Sequence, residues 1–296
     1  MTVLDKVLNG LMSRYRERVV DVSKITQALI HEKVLSNEKD IANDHIAFRT
    51  MGVPQLGINS FEKIFMHYGY TAEDTYFFKN KKVNARWYAP PKNYLPRIFI
   101  SELMVDDFSQ EIKDIILSYT NEVIKDPVDS IDLDNATEVD AFLHATLWRT
   151  PTWEDYQKLQ SVSEYAAWVI YNRYYLNHYT ISVQNLSKYN TLEAFNAFVE
   201  KTGVLLSNAG GTIKTSKDGL LLQSATVSEM REAIFSGGEK KLISGSYVEF
   251  AERKILPEFA HLPISEIERK HRREGFETSN ADKIFESTFS SQTKRK

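Results

Sequence analysis

The sequence Asp-His-Ile-Ala-Phe-Arg-Thr at positions 44–50 has the pattern of a β-strand, and Asn-His-Tyr-Thr-Ile-Ser-Val at positions 177–183 follows the same template. Each segment places a histidine second, and each is followed by a short loop and a helical pattern. Because an internal repeat decides an architecture, we interpret the two segments as the first strands of two copies of one module. His45 and His178 would then occupy equivalent places, a geometry that can build a metal site.

The elements that follow the two segments come in the same order. Hydrophobic periodicity predicts a strand, a helix and three further strands in module 43–105, and the same β-α-β-β-β order in module 177–253. The helices are expected to begin at Asn59 and Asn190, each with a Glu three positions later as in a capping box. Paired modules of this kind predict an α+β fold in which a curled mixed sheet forms a partial barrel with a ligand-binding mouth.

The rest of the chain has mainly helical patterns. We expect a helical N-terminal segment over 1–42, a helical insertion over 106–176, and C-terminal helices with a tail over 254–296. All of these segments would belong to one domain, 1–296, because a chain of this length can bury a single large core.

The same patterns predict the structure of four shorter segments. The periodicity predicts one helix over 153–174 and one strand near 241–252, whereas 228–236 could open a helical turn. The pattern Ser265-x-x-Glu268, followed by Gly275, brackets a further C-terminal helix.

Composition excludes several classes of function. The chain has no cysteine, so thiolate metal sites, iron–sulfur clusters and cysteine nucleophiles are excluded. A net charge of −3 points to neither nucleic acid nor an acidic membrane surface as a partner. The sequence has no run of about 18 apolar residues and no signal-peptide pattern, so we expect a cytoplasmic protein without membrane association. It specifies no oligomeric state.

Strand alternation places the candidate ligands on common faces. In the first strand His45 and Arg49 share a face, and in the last strand of the second module Glu249 shares one with Arg253. Two imidazoles and one carboxylate, from His45, His178 and Glu249, would leave positions open on Fe(II) for a bidentate 2-oxo acid and O₂. Arg49 would lie roughly 13 Å further along the strand from His45, where its guanidinium suits a carboxylate.

Other interpretations of these residues stay open at this point. An isolated strand histidine is often structural, and Glu249 could be a solvated carboxylate or an ion-pair partner of Arg253. Glu102 looks like the counterpart of Glu249 in the first module. It could be a fourth ligand or an acceptor for an imidazole N–H.

Taken together, four motifs resemble one protein family. They are Asp-His-Ile-Ala-Phe-Arg-Thr (44–50), Arg-Ile-Phe-Ile-Ser-Glu-Leu (97–103), Asn-His-Tyr-Thr (177–180) and Tyr-Val-Glu-Phe-Ala-Glu-Arg (247–253). They look like those of the 2-oxoadipate dioxygenase/decarboxylase family, also called hydroxyglutarate synthases. That family is similar in fold to the vicinal oxygen chelate superfamily of paired βαβββ modules, and the resemblance spans nearly the whole chain in order.

The resemblance implies a reaction and a set of site residues. Fe(II) would be held by His45, His178 and Glu249, and 2-oxoadipate and O₂ would give 2-hydroxyglutarate and CO₂ within lysine catabolism. Arg49 would hold the substrate, a 2-oxo dicarboxylic acid, with a further contact near Ser279 in front of Ile284-Phe285-Glu286-Ser287.

Two alternatives from other classes come with the same fold. One is a glyoxalase-like isomerase or lyase with a divalent metal and a carboxylate base, a role that Glu102 would fill. The other is a non-catalytic small-molecule binding protein.

Overall fold

The first module has the predicted order of elements. In the computed structural model, which describes residues 1–296, it consists of β1 (Asn43–Met51), α3 (Ile58–His67), β2 (Thr71–Phe78), β3 (Val83–Ala89) and β4 (Arg97–Leu103). Two helices precede it, α1 (Val3–Arg18) and α2 (Val20–His31). The four predicted strands and the helix of this module are therefore confirmed.

The second module repeats this order and adds a hairpin. Its elements are β5 (His178–Ser182), α8 (Leu192–Lys201), β6 (Lys214–Thr215), β7 (Leu221–Ala225), β8 (Met230–Ile234), β9 (Lys240–Ser244) and β10 (Tyr247–Arg253). The helical turn considered over 228–236 is wrong, because β8 pairs there with β9 across a turn at Gly237–Gly238. Gly238 has a φ of 85°, which glycine adopts readily. The strand expected near 241–252 divides between β9 and β10 at Gly245, whose N–H donates back to Glu229.

Eight strands form one mixed sheet in the order β2-β3-β4-β1-β5-β10-β7-β6. Strands β1 and β5 pair antiparallel in the middle, and each has a parallel neighbour from its own module, β4 for β1 and β10 for β5. The two halves are thus related strand by strand, and the sheet curls into a half-barrel. This confirms the α+β fold with paired modules.

The module helices cover the outer face of this sheet in the same way. Phe48 of β1 contacts Phe61 of α3 with ring centroids 4.8 Å apart, and Phe250 of β10 contacts Phe195 of α8 at 4.9 Å. The side chains that alternate with these phenylalanines point to the concave face, where burial of polar groups requires partners. The sheet therefore has an apolar core on its outer, helix-covered side and polar side chains that could bind a ligand on its concave side.

The insertion and the C-terminus contain the remaining helices. These are α4 (Gln110–Thr120), α5 (Ala136–Phe142), α6 (Trp153–Val162), α7 (Glu164–Asn172), α9 (Thr278–Phe285) and α10 (Ser290–Thr293). The single helix predicted over 153–174 is wrong, since Ser163 interrupts it and its hydroxyl accepts from Ala166 N–H as the N-cap of α7. No helix combines the length and apolar character needed to cross a bilayer.

The helix predicted between Ser265 and Gly275 is also wrong. Two short 3₁₀ turns, Ile264–Glu266 and Arg269–His271, stand there instead. The backbone is extended here because Arg272 forms a β-bridge with Ile255, and the His271 carbonyl accepts a hydrogen bond from Leu256 N–H. A helix would break both contacts.

Most of the buried apolar side chains belong to one continuous cluster. It contains 68 residues and runs from Leu4 in α1 to Phe285 in α9. This continuity supports our proposal of a single domain over 1–296, in which the segments 1–42, 43–105, 106–176, 177–253 and 254–296 share one core.

The register of the parallel strand pairs corrects the role considered for Glu102. His45 pairs with Arg97 and His178 with Tyr247, so equivalent residues of β4 and β10 differ by 150 in number. By this rule the counterpart of Glu249 is Phe99. The counterpart of Glu102 is Glu252.

Glu102 and Glu252 do the same structural work in the two modules. Glu102 accepts a hydrogen bond from Ile58 N–H at 2.7 Å, and Glu252 accepts one from Leu192 N–H at 2.7 Å. Each carboxylate therefore caps the first turn of its module's helix, where negative charge is stabilising. The helices begin after Gly57 and Thr191, so Asn59 and Asn190 are not the N-caps.

Glu102→Ala should lower the free energy of unfolding by about 1–3 kcal/mol, because it leaves the Ile58 N–H without its acceptor. Thermal or urea unfolding measures this loss. Metal content should not change, and a Glu102→Ala protein that no longer binds metal would restore Glu102 as a ligand.

Candidate metal centre

Three side chains converge on the concave face from three neighbouring strands. His45 comes from β1, His178 from β5 and Glu249 from β10, and all three are buried. The distances are 3.3 Å between the two Nε2 atoms, 3.1 Å from His178 Nε2 to Glu249 Oε2, and 3.6 Å from His45 Nε2 to the same oxygen. The structure thus brings together the three residues that the sequence analysis selected as ligands.

These distances suit a divalent cation. Nitrogen and oxygen donors about 2.1 Å from one ion, at right angles to each other, are roughly 3.0 Å apart. The observed edges of 3.1–3.6 Å are close to that value. Two imidazoles and one carboxylate on one face of an ion, with the other face open, form the donor set of non-haem iron oxygenases.

The opposite edge of each imidazole is held by the residue that precedes it. His45 Nδ1 lies 2.8 Å from Asp44 Oδ1, and His178 Nδ1 lies 3.0 Å from Asn177 Oδ1. Because both partners are acceptors, each Nδ1 carries the proton and each Nε2 presents its lone pair to the centre. Asp44 and Asn177 were not predicted as partners of the histidines, although the repeat contains the signal, an Asp or Asn directly before each histidine.

Asp44 in turn belongs to a buried ion cluster. Arg253 donates to both of its carboxylate oxygens, at 2.7 and 3.0 Å, and Arg97 donates to Oδ2 at 3.1 Å. Burial alone would raise the pKa of Asp44, but the charges of Arg253 and Arg97 hold it well below its usual range. Asp44 thus stays ionised behind His45. Arg253 is paired with Asp44, so Glu249 remains available to a metal.

The two histidines differ in the charges that surround them. Burial, together with the charges of His45 and Arg49, lowers the pKa of His178 well below its usual value, so this imidazole is neutral. Burial also disfavours the protonated form of His45. However, the charge of Glu249 and the hydrogen bond to Asp44 outweigh it and raise the pKa of His45.

Glu249 is oriented by a side chain outside the predicted set. Gln223 of β7 donates from Nε2 to Glu249 Oε1 at 2.7 Å, and Asn280 of α9 donates from Nδ2 to Gln223 Oε1 at 3.1 Å. This relay occupies one carboxylate oxygen and leaves Oε2 facing the histidines. The sequence has no local signal for it, because Gln223 meets Glu249 only through the β7–β10 pairing.

Gln223→Leu should therefore weaken metal binding about 10- to 100-fold, the usual effect of removing a partner that orients a ligand. Competition with a metal-binding dye measures the affinity. Asn280→Ala should have a smaller effect, because it removes only the group that holds Gln223. Unchanged affinity in a Gln223→Leu protein of native melting temperature would show that Glu249 needs no such support.

A narrow cavity of about 20 Å³ adjoins the three residues. Aromatic side chains cover it, with Phe276 meeting the His45 ring edge-on at 4.8 Å and Phe99 packing on Phe276 at 4.9 Å. Phe285 of α9 also lines it. A volume of this size holds about one water-sized group, so the centre is largely shielded from solvent.

Arg49 lies beside this cavity as a buried cation without a carboxylate partner. Its Nη1 donates to Thr288 Oγ1 at 3.0 Å and its Nη2 to the Phe285 carbonyl at 3.2 Å. Its Nε and the hydroxyl of Tyr247 are buried and make no hydrogen bond of good geometry. Burial lowers the pKa of Arg49, which shows the cost of holding this charge without an anion.

Two other candidate residues lie elsewhere. Ser279 is exposed on the first turn of α9 and does not line the cavity, whereas its neighbour Asn280 points inward. Glu102 is bonded to the N-terminus of α3, away from the histidines. The structure therefore brings neither Ser279 nor Glu102 to the centre.

Comparison with known proteins identifies close relatives. A family described as 2-oxoadipate dioxygenase/decarboxylase matches residues 7–261. The chain is 42% identical to the chloroplastic 2-oxoadipate dioxygenase/decarboxylase of Arabidopsis thaliana, over 88% of this chain and 71% of that one. It is 40% identical to a protein named chloroplastic/amyloplastic 2-oxoadipate dioxygenase/decarboxylase from Oryza sativa subsp. japonica, over 99% and 83%.

A solved structure agrees in fold as well as in sequence. The crystal structure of a hydroxyglutarate synthase from Oryza sativa in complex with 2-oxoadipate matches with a TM-score of 0.90 and 39% identity. The match covers 98% of this chain and 93% of that one.

Proposed function

The chain belongs to the 2-oxoadipate dioxygenase/decarboxylase family, and on that premise we propose that it is an Fe(II)-dependent dioxygenase acting on 2-oxoadipate. The reaction would be 2-oxoadipate plus O₂ giving 2-hydroxyglutarate plus CO₂. The observation that carries the proposal is the buried set of His45, His178 and Glu249, with spacing and oriented partners that suit a divalent cation. His45, His178 and Glu249 would hold Fe(II), which when bound would supply Lewis-acid and O₂ chemistry for a 2-oxo acid.

The residues of the chain have three tasks in this proposal. Asp44 and Asn177 fix the Nδ1 protons, so that both imidazoles keep a lone pair at Nε2. Phe99, Phe276 and Phe285 exclude water from the centre, which strengthens every charge interaction inside it.

The third task, substrate selection, falls to Arg49. Its planar guanidinium suits the distal carboxylate of a dicarboxylic 2-oxo acid, and that anion would relieve the unpaired charge beside the cavity. Since the cavity holds only about one water-sized group, the aromatic cover must shift to admit a six-carbon substrate.

Of the two alternatives, neither gains a specific observation. A catalytic role for Glu102 would have favoured a glyoxalase-like reaction, but Glu102 accepts a hydrogen bond from the N-terminus of α3 on the other side of the sheet. If the three residues were incidental, as in a binding protein, the histidines would need no acceptors at Nδ1. Nor would Glu249 need to keep Oε2 directed at the histidines while Oε1 accepts from Gln223.

Anaerobic loading with Fe(II), followed by O₂-uptake measurements over a panel of 2-oxo acids, tests the function. We expect one O₂ consumed and one CO₂ released per 2-oxoadipate, with 2-hydroxyglutarate as the product. Turnover with zinc or nickel and without O₂ would instead support an isomerase or lyase, and a protein that binds no metal would support a binding role.

Two wider expectations remain proposals. A role in lysine catabolism follows from the proposed substrate. The cytoplasmic location expected from the sequence is likewise a prediction, and the two plant relatives are named as plastid proteins.

A further inference from the structure

A second cleft lies between α1, the segment before β5 and the β8–β9 hairpin. It consists of two adjoining cavities of about 650 and 200 Å³, and Arg18, Tyr175 and Arg231 line both of them. None of its lining residues belongs to the cavity at the metal centre. These volumes fall within or just below the usual range for small-molecule sites.

Two neighbouring arginines of α1 differ in how their charges are balanced. Arg14 makes a close ion pair with Asp140 at 2.5 Å. Arg18, one helical turn later, makes no ion pair, and its guanidinium instead lies 3.1 Å over the ring of Tyr175. A ring face offers a guanidinium only weak stabilisation compared with a carboxylate.

Arg231 of β8 brings a second guanidinium to the same cleft, whose acidic lining residues are Glu17 and Glu232, the latter paired with Lys240. Arg231 itself makes no ion pair. Its stem lies against Gly245, where any Cβ would come within 3.0 Å of both Arg231 Cδ and the Glu229 carbonyl. Glycine at this position therefore leaves room for the stem of Arg231, which lines the same two cavities as Arg18.

Burial and mutual repulsion destabilise the positive charge of Arg18 beside that of Arg231. Arg18 and Arg231 are both half-buried. Burial and the charge of Arg231 lower the pKa of Arg18 to about 10. Deeper in the cleft, the buried Arg173 gives its Nη groups to backbone carbonyls and leaves Nε without a partner. Groups of this kind are normally balanced by an anion.

We propose that this cleft binds a small oxyanion, a carboxylate or phosphate group, held between Arg18 and Arg231. Guanidinium groups recognise both kinds of group through paired N–H donors. The ring of Tyr175 stacks against the Arg18 guanidinium, and Arg173 lines the smaller of the two cavities. The site rests on geometry outside the metal centre, so it stands independently of the proposed function.

Isothermal titration of the full chain at low ionic strength tests the proposal, with inorganic phosphate in one arm and the tricarboxylate tricarballylate in the other. We expect saturable binding of one anion per chain. A response to phosphate alone identifies a phosphate ligand, and a response to tricarballylate alone identifies a carboxylate ligand. Saturation by neither anion overturns the proposal.

Variants locate the binding. Arg18→Gln and Arg231→Gln should each weaken it at least tenfold, whereas Lys270→Gln, an equal charge change at an exposed site, should leave it unchanged. Glu17→Gln should strengthen binding, because Glu17 lines the outer cavity and repels an anion. Binding that survives both arginine substitutions, or that Lys270→Gln weakens equally, belongs elsewhere and overturns the assignment. Arg231 lies on a hairpin edge, so its substitution keeps the test valid if Arg18→Gln misfolds.

Discussion

Glu249→Ala should abolish metal binding and turnover together. Glu249 supplies the only carboxylate among the three converging donors, and its replacement leaves two neutral imidazoles with no negative ligand. Removing a direct ligand should cost more than the 10- to 100-fold in affinity that losing an orienting partner costs. Metal analysis of the purified protein and O₂ uptake with 2-oxoadipate measure the two effects. His45→Ala and His178→Ala should give the same joint loss.

Glu252→Ala is the matched control for this experiment. It makes the same substitution three residues later on the same strand, but its side chain points to the opposite face and caps α8. We expect it to lower stability and to retain metal and activity. If Glu249→Ala kept full metal content and turnover, the three residues would not form the metal centre.

Local evidence in the sequence paired the two histidines, whereas Glu249 joined them through the chemistry of the donor set and the resemblance of its motif to a known family. A repeated strand places His45 and His178 in equivalent positions, and the alternation of a strand decides which side chains share the face of Glu249. Neither inference needs the alignment of one strand with another. The fold class follows in the same way, from the order of elements in two modules.

Two features that a local pattern does not contain are the register between paired strands and the direction in which a helical residue points. The role considered for Glu102 was wrong because the parallel register of β1 with β4 matches Glu102 to Glu252, and no local pattern contains that alignment. Ser279 and Asn280 are neighbours on α9 but point in different directions. Ser279 is exposed, whereas Asn280 points inward and donates to Gln223. Glu102 thus had a suitable residue type in an unsuitable position, and the substrate contact near Ser279 stays a prediction.

The hydrophobic periodicity was also interrupted by a local helix cap and by a backbone contact. Ser163 has little effect on the hydrophobic periodicity of 153–174, yet its hydroxyl caps α7 and divides the helix. Gly245 divides a predicted strand because its N–H returns to Glu229 and its missing side chain makes room for Arg231. Periodicity reports which residues are buried, and it does not report where a chain turns.

Arg49→Ala should separate substrate selection from metal binding. Truncating one partner of a desolvated charge pair costs about 2–5 kcal/mol, so kcat/KM for 2-oxoadipate should fall roughly 30- to 5,000-fold. Iron content should not change, since Arg49 does not belong to the converging set. Arg49→Lys should recover only part of the loss, because an ammonium cannot reproduce the planar fork of a guanidinium.

The decisive comparison uses 2-oxohexanoate, which has the same carbon chain as 2-oxoadipate and lacks the distal carboxylate. Arg49 also holds Phe285 and Thr288, so a merely structural role would reduce the rates for both substrates alike. If Arg49 binds the distal carboxylate, Arg49→Ala should reduce kcat/KM for 2-oxoadipate far more than for 2-oxohexanoate. Thr288→Val, which removes one hydrogen bond of Arg49 and keeps the guanidinium, should preserve the preference for the dicarboxylate. Equal losses for the two substrates in Arg49→Ala would assign Arg49 to the packing of the C-terminal segment and leave the distal carboxylate without a partner.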